Sequence, residues 1–232
     1  MKIALIGYGR MGHAIEALAA GRGHAVVCTV DNLAEWDAHR AELRTAEVAI
    51  EFSTPATAAD NIRRCFALGL PVVSGTTGWD SELDAVVAQC LAEGHALFTA
   101  SNFSLGMNIM FRLNEHLAEL MCGRMDYEVS IAETHHIHKL DAPSGTALSL
   151  ATQIAHCGNR PLESIPIESF REGEVPGTHT VAYRSPIDTL TLTHEAHSRE
   201  GLALGALLAA EFLHGRTGHY TMRELLEERG RE

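Results

Sequence analysis

The densest chemistry in this chain lies in one segment, Glu133-Thr134-His135-His136-Ile137-His138-Lys139-Leu140-Asp141-Ala142-Pro143-Ser144-Gly145-Thr146-Ala147. His135 and His136 are groups that titrate near neutral pH and can give or take a proton. Lys139 adds a cation. Ser144, Gly145 and Thr146 read as the opening of a helix, where hydroxyls and unpaired backbone N–H groups make a site for an anion such as a carboxylate. Three histidines and Glu133 invite a metal. The only close spacing is His136-x-His138, however, and neither a cysteine pair nor an H-E-x-x-H helix accompanies it. A lysine ammonium beside the site would also compete with a cation, so no metal is expected.

A second cluster opens the chain. Gly7-Tyr8-Gly9-Arg10-Met11-Gly12 fits G-x-G-x-x-G, directly after an apolar strand and at the start of a helical pattern. In that context the glycines permit a tight turn, close approach of backbone to a pyrophosphate, and close helix–strand packing. Asp31 ends the second strand, nineteen residues after Gly12, where a carboxylate can accept hydrogen bonds from a ribose diol. Gly75-Thr76-Thr77-Gly78 and Ala100-Ser101-Asn102-Phe103 each follow a short apolar run. In a doubly wound sheet such loops line the ligand crevice.

These groups need a scaffold, and the hydrophobic pattern supplies one. Strands are expected at Lys2–Ile6, Ala25–Val30, Val48–Phe52, Pro71–Ser74 and Ala96–Ala100. Met11, Ala14, Ile15, Leu18 and Ala19 keep helical spacing; further helices are expected at Ala56–Leu68 and at Ser81–Glu93, the latter behind a Ser N-cap. This alternation implies a parallel sheet covered on both faces, an α/β fold of Rossmann type. After Asn102 the pattern changes. A long helix, Leu105 to Met121, carries Ile109, Leu113, Leu117 and Leu120 on one stripe. Tyr127–Thr134 reads as a strand, Ser144–Cys157 as a helix, and Ile165–Phe170, Thr178–Tyr183 and Thr189–His194 as strands, an inserted α+β unit on a mixed sheet. Gly201–Leu213 and Thr221–Arg229 close the pattern as helices. The expected division is residues 1–103 plus 199–232 for the dinucleotide domain and 104–198 for the inserted one.

The 232 residues carry 18 Lys plus Arg against 30 Asp plus Glu, a formal net charge of −12, which argues against broad nucleic-acid binding. No apolar run approaches a membrane span, and glycines with Arg10 interrupt the only apolar stretch that a signal peptide would need. The five scattered cysteines include no C-x-x-C and read as reduced thiols in a cytoplasmic protein.

Taken together, Gly7–Gly12, Gly75–Gly78, Ser101-Asn102-Phe103-Ser104 and above all Glu133–Ala147 resemble the 4-hydroxy-tetrahydrodipicolinate reductase (dihydrodipicolinate reductase) family. All the fixed positions of its E-x-H-H-x-x-K-x-D-A-P-S-G-T-A pattern are matched, and the resemblance runs to Met222-Arg223-Glu224-Leu225. It implies a nicotinamide-dependent enzyme of the diaminopimelate route to lysine, with an inserted domain that binds a small dicarboxylate and forms a homotetramer. In the implied reaction the substrate hydroxyl leaves as water, and hydride then reduces the resulting conjugated imine. By position, His135 resembles the family's proton donor/acceptor and Lys139 its second proton donor. His136, Ser144, Gly145 and Thr146 resemble the residues holding the substrate carboxylates. Gly7, Tyr8, Gly9, Arg10, Met11, Gly12, Asp31, Gly75, Thr76, Thr77, Ala100, Ser101, Asn102 and Phe103 resemble the cofactor site. The glycine loop is one residue shorter than in many members, and the stretch from Asp31 to Val48 is also short.

Asp31 further predicts that NADH is preferred, because a 2′-phosphate would face its carboxylate with no fixed cation following; Arg10 leaves NADPH possible. Two rival readings are a non-catalytic dinucleotide sensor, which would need neither His135 nor Lys139, and a reductase of another small dicarboxylate.

Overall fold

The structure is a computed structural model that describes residues 1–124 and 126–229. It divides into two compact units, Met1–Leu105 with the segment from Glu200 onward, and Gly106–Arg199.

In the first unit, β1 (Lys2–Ile6), β2 (Ala25–Val30), β3 (Val48–Glu51), β4 (Val72–Ser74), β5 (Ala96–Thr99) and β10 (Gly218–Tyr220) form one parallel sheet in the order β10-β5-β4-β3-β1-β2. The period of two along β1 sends its side chains to opposite faces. Ile3 and Leu5 join a core completed by α1 (Arg10–Ala19) and α8 (Glu200–Leu213). Ala4 and Ile6 join the opposite core with Trp36, Ile62 and Val86, from α2 (Leu33–Ala38), α4 (Ala58–Ala67) and α5 (Asp80–Glu93). Both faces are therefore dry, the condition of a buried parallel sheet. The chain runs from β1 out to β2 and returns to β3 on the far side of β1. That reversal creates a switch point between β1 and β3, and ligand crevices open at the carboxyl ends of strands beside such points.

In the second unit, β6 (Glu128–His135), β7 (Ile167–Arg171), β8 (Gly177–Arg184) and β9 (Thr189–Ala196) form a mixed sheet in the order β7-β6-β8-β9. Strands β6 and β7 are parallel, and the other two pairs are antiparallel. Helices α6 (Leu105–Met121) and α7 (Gly145–Gly158) contribute Met107, Met110, Leu150, Ala151 and Ile154 to a core with Val129, Ile131, Val181 and Tyr183.

Several local expectations change. Helix α5 starts at Asp80 without a side-chain cap, so Ser81 lies inside the helix rather than capping it. Two short helices, α2 and α3 (Arg40–Leu43), fill the stretch between Asp31 and Val48 that showed no pattern. The three-residue β10 is not predicted from sequence; it is too short to display a period and is held by pairing with β5. Helix α6 turns a different face inward from the expected stripe: Met107, Met110, Asn114 and Ala118 are buried, while Ile109, Leu113 and Leu120 stay about half exposed. Apolar residues line both faces of this helix, and Asn114 decides between them by donating Nδ2 to Leu150 O at 3.1 Å and to Gln153 Oε1 at 2.9 Å.

Candidate active site

The glycine loop sits at the β1 end of the switch point. Gly7 has φ +91°, and a Cβ there would lie 2.1 Å from Phe52 O. A Cβ on Gly12 would come within 2.7 Å of Gly7 O. These two glycines serve tight turning and close packing. Gly9 differs: nothing lies within 4 Å of where its Cβ would be, and it precedes α1 with ordinary extended backbone. Its exposed backbone leaves room for a ligand to approach the first N–H groups of the helix. A cavity of 360 Å³ lies there, lined by Gly9, Arg10, Met11, Phe52, Ser53, Pro55, Gly75, Thr76 and Thr77.

Beneath that cavity is a carboxylate that no sequence motif marks. Glu51, the last residue of β3, is fully buried. It accepts Ser53 N at 3.0 Å, Ser74 Oγ at 2.6 Å and Thr76 Oγ1 at 2.8 Å, and the Ser53 hydroxyl as well. The charge thus ties together the loops that follow β3 and β4. Asp31 stands past the end of β2, with Oδ1 accepting Tyr8 N at 3.0 Å, which brings it against the glycine loop. Glu35 adds a second carboxylate, accepting Asp31 N at 2.6 Å and Asn32 Nδ2 at 2.7 Å. Phe103 is placed differently from the other expected cofactor residues: its side chain is 2% exposed and packs with Phe52 and Phe98 in the core.

In the second unit the strand register builds a polar cluster of its own. Along β6 the inward positions are Val129, Ile131, Glu133 and His135, so the apolar face becomes polar at its carboxyl end. The antiparallel partner β8 sets Tyr183, Val181 and His179 opposite Val129, Ile131 and Glu133. The parallel partner β7 sets Ser169 beside Glu133 and Arg171 beside His135. Two strand pairings thereby gather a carboxylate, two imidazoles and a guanidinium within a few residues of one another.

Glu133 is the hub. Oε1 accepts Ser144 N at 3.0 Å and lies 3.4 Å from Arg171 Nη2. Oε2 lies 3.2 Å from His135 Nδ1 and 3.8 Å from His179 Nε2. The 3.2 Å approach is an ion-pair distance whose ring N–H is not aimed along the N···O line, so as it stands it is electrostatic rather than a formed hydrogen bond. Burial pushes the Glu133 carboxyl upward, but donors from Ser144 and Ser169 and the nearby His135 outweigh it and hold the group below its ordinary value. His135 is shifted down chiefly by burial; Glu133 opposes that shift, and Lys139 and Arg171 add to it. Burial, helped by His135, carries His179 down to about 4.

The residues of the expected anion site lie at the start of α7 and in the loop before it. Ser144 caps α7 by accepting Ala147 N at 3.2 Å, and Gly145 and Thr146 form its first turn. Lys139 Nζ is engaged by Asp141 at 2.8 and 3.0 Å. His136 Nε2 accepts from Arg199 Nη2 at 3.0 Å. Arg171 staples the intervening loop, donating to Lys139 O at 3.2 Å and Asp141 O at 2.5 Å.

Comparison with known proteins places this geometry. A family model described as "Dihydrodipicolinate reductase, N-terminus" matches residues 1–103, and one described as "Dihydrodipicolinate reductase, C-terminus" matches residues 106–226. The chain belongs to the dihydrodipicolinate reductase family. A 4-hydroxy-tetrahydrodipicolinate reductase of Christiangramia forsetii is 46% identical over 98% of each chain. One of Thiobacillus denitrificans is 34% identical over 97% of this chain and 98% of its own. A dipicolinate-bound dihydrodipicolinate reductase from Paenisporosarcina sp. TG-14 shares the fold, with a TM-score of 0.79 at 20% identity, covering 95% of this chain and 97% of that one.

Within this family frame, the cavity gathers Gly9, Arg10, Met11, Gly75, Thr76 and Thr77 of the expected cofactor residues, and adds Phe52, Ser53 and Pro55. Gly7 and Gly12 shape the loop from behind. The residue pattern alone marks Glu133 only as a metal candidate, and no motif marks His179, Arg171 or Glu51. His179 and Arg171 fall in or beside strands legible from sequence, but their neighbours follow from register alone. Glu133, His135 and His179 also bring one donor atom each within 4.8 Å, the one group among the described residues that could be weighed for a cation. Arg171 on the same carboxylate weighs against it.

Proposed function

We propose that this chain is a 4-hydroxy-tetrahydrodipicolinate reductase, drawing a hydride from a nicotinamide dinucleotide and reducing a small dicarboxylate to tetrahydrodipicolinate in the diaminopimelate route to lysine. The observation that carries the reading is the pairing, in one family member, of an open Gly9 backbone over a lined cavity with a carboxylate-braced His135 beside a capped helix start.

The first unit fits a dinucleotide. Gly7 and Gly12 admit no side chain, Gly9 leaves open space, and Asp31 stands beside the loop to take a ribose diol. When bound, the nicotinamide supplies the hydride. The chain's own residues do the rest. Gly9 to Met11 and Gly75 to Thr77 offer backbone and hydroxyl groups to the cofactor. Ser144, Gly145 and Thr146, with His136, hold substrate carboxylates at the start of α7. Lys139 exchanges the Asp141 carboxylate for a substrate group. Once the substrate hydroxyl has left as water, hydride addition to the conjugated imine leaves negative charge on the conjugated system, and His135, with Lys139 nearby, supplies the proton that quenches it.

NADH is the preferred cofactor in this reading. A 2′-phosphate beside Asp31 and Glu35 would meet two carboxylates, at about 1–4 kcal/mol per unit charge pair near 4 Å for effective dielectrics of 80 to 20. Arg10 is the cation that keeps NADPH usable. Assembly as a cytoplasmic homotetramer belongs to the same proposal; exposed Phe170 and Leu190 give the four-stranded sheet apolar surface for it.

The test is paired steady-state kinetics with NADH and NADPH at one ionic strength, using freshly made dihydrodipicolinate synthase product. Turnover with NADH favoured about tenfold or more in kcat/KM is expected. Asp31→Ser with Asn32→Arg shifts preference toward NADPH, at some cost because Asn32 Oδ1 caps α2 through Ala34 N and Glu35 N. No oxidation of either cofactor would leave the sensor reading, and equal use of NADPH would mean Asp31 does not meet the ribose.

A further inference from the structure

We infer that Glu133 is a positioning residue that fixes His135 in the Nδ1–H tautomer, so that Nε2 is the atom that carries the catalytic proton. The inference rests on the reading of His135 as proton donor and deepens it by naming the atom and the group that selects it.

Three observations converge. First, Glu133 Oε2 lies 3.2 Å from His135 Nδ1. A bare ring nitrogen there would bring its negative potential beside the carboxylate, whereas an Nδ1–H brings the positive end of a dipole, so the 3.2 Å approach favours hydrogen on Nδ1. Turning the ring to aim Nδ1–H at Oε2 would make the approach a charge-assisted hydrogen bond. Second, Glu133 is itself immobilised. It is 1% exposed, with Oε1 tied to Ser144 N at 3.0 Å and held beside Arg171. Its charge is therefore held in one place against the ring. Third, no side chain crowds the Nε2 edge of the ring from residue 177. Residue 177 is glycine, and a Cβ there would stand 3.0 Å from Nε2 and 3.2 Å from Cδ2 of His135. The arrangement is that of a carboxylate orienting an imidazole whose far nitrogen does the proton transfer.

The groups facing His135 are Glu133 on its own strand, His179 across on β8, Arg171 on β7, and Lys139 and Asp141 from the following loop. His194 lies behind His179 in the β9 register. Glu133 is the nearest anion. If protonated His135 gives the proton, kcat/KM falls as pH rises through its titration. Removing the Glu133 charge makes the imidazolium easier to deprotonate, so the fall moves to lower pH.

Nitrogen-15 NMR of the unmodified enzyme, with the His135 resonances assigned by their loss in His135→Gln, reads the tautomer directly. Neutral His135 with hydrogen on Nδ1 is expected; neutral His135 with hydrogen on Nε2 overturns the inference without any Glu133 variant. Glu133→Gln is then measured at saturating substrate across pH, with its melting temperature as a check on folding. A fall in kcat of about 10-fold or more is expected, with the alkaline limb of kcat/KM displaced downward by about one pH unit or more. Lost activity with an unmoved limb and an unchanged tautomer would reduce Glu133 to a structural residue. The reading of His135 itself fails separately, through a His135→Gln enzyme that turns over normally.

Discussion

His135 and His179 meet edge to face, their ring centroids 5.0 Å apart and their planes at 73°, with the carboxylate of Glu133 within 4 Å of both. Both imidazoles are nearly buried, and burial shifts both below their ordinary value. This has a measurable thermodynamic consequence. His179 titrates near 4 in the folded chain and near 6.5 when unfolded, so the unfolded state binds more protons between those values. Stability is full above pH 6.5 and is lost as pH falls toward 4, by about 3 kcal/mol from this one group. His179→Gln should flatten that slope. Urea midpoints collected across the same pH range check it, and an equally steep variant would assign the acid sensitivity elsewhere.

Catalysis should depend on the two proton donors and not on cofactor binding. His135→Gln or Lys139→Ala is expected to lower kcat by about 10²–10⁴-fold. Cofactor affinity, measured by fluorescence titration, should hardly change, because the residues lining the glycine-loop cavity belong to the other unit. Lys139→Ala turning over near the unmodified rate would remove Lys139 from the mechanism.

The start of α7 should bind carboxylates. Pyridine-2,6-dicarboxylate is expected to inhibit competitively with substrate, and Thr146→Val should weaken it by about 1–3 kcal/mol, the range for a hydrogen bond to a charged group. Inhibition competitive with the cofactor alone would place the anion site in the first unit.

The glycines separate packing from ligand binding. A Cβ at Gly205 would stand 1.8 Å from Phe103 O, and one at Gly75 would stand 2.1 Å from the Phe52 ring. Gly205→Ala or Gly75→Ala should therefore destabilise the fold by about 1–3 kcal/mol or more. Gly9→Ala meets open space and extended backbone, so its melting temperature should hold while dinucleotide affinity drops. Calorimetric melting beside cofactor titration distinguishes the two classes, and a Gly9→Ala protein that binds normally would move the pyrophosphate off this loop.

Metal should be dispensable. Glu133, His135 and His179 could be mistaken for a cation site, yet Arg171 already stands 3.4 Å from the same carboxylate. Activity is expected to survive prolonged dialysis against EDTA, with no stoichiometric zinc by elemental analysis. Chelation that abolished turnover, with zinc restoring it, would reassign those three side chains as ligands.

Much of this was legible in the chain because the relevant physics is local. Gly7–Gly12 lies between an apolar run and a helical period, so the turn and its helix N-terminus follow from neighbours in sequence. The same holds for Ser144 before α7, whose cap is a bond three residues long. Alternation along β1 and β6 marks their inward faces. What sequence could not carry was register. Glu133 meets His179 because β6 pairs antiparallel with β8, and His135 lies beside Arg171 because β6 pairs parallel with β7; shifting either pairing by one residue would dissolve the cluster. The buried Glu51 is a similar case, since its donors come from the loops after two different strands. Helix α6 had apolar residues on both faces, so which face it buried depended on partners distant in sequence, Leu150 and Gln153. Residue types set which chemistry this chain could do, and long-range strand pairing, which no local period encodes, decided which side chains do it together.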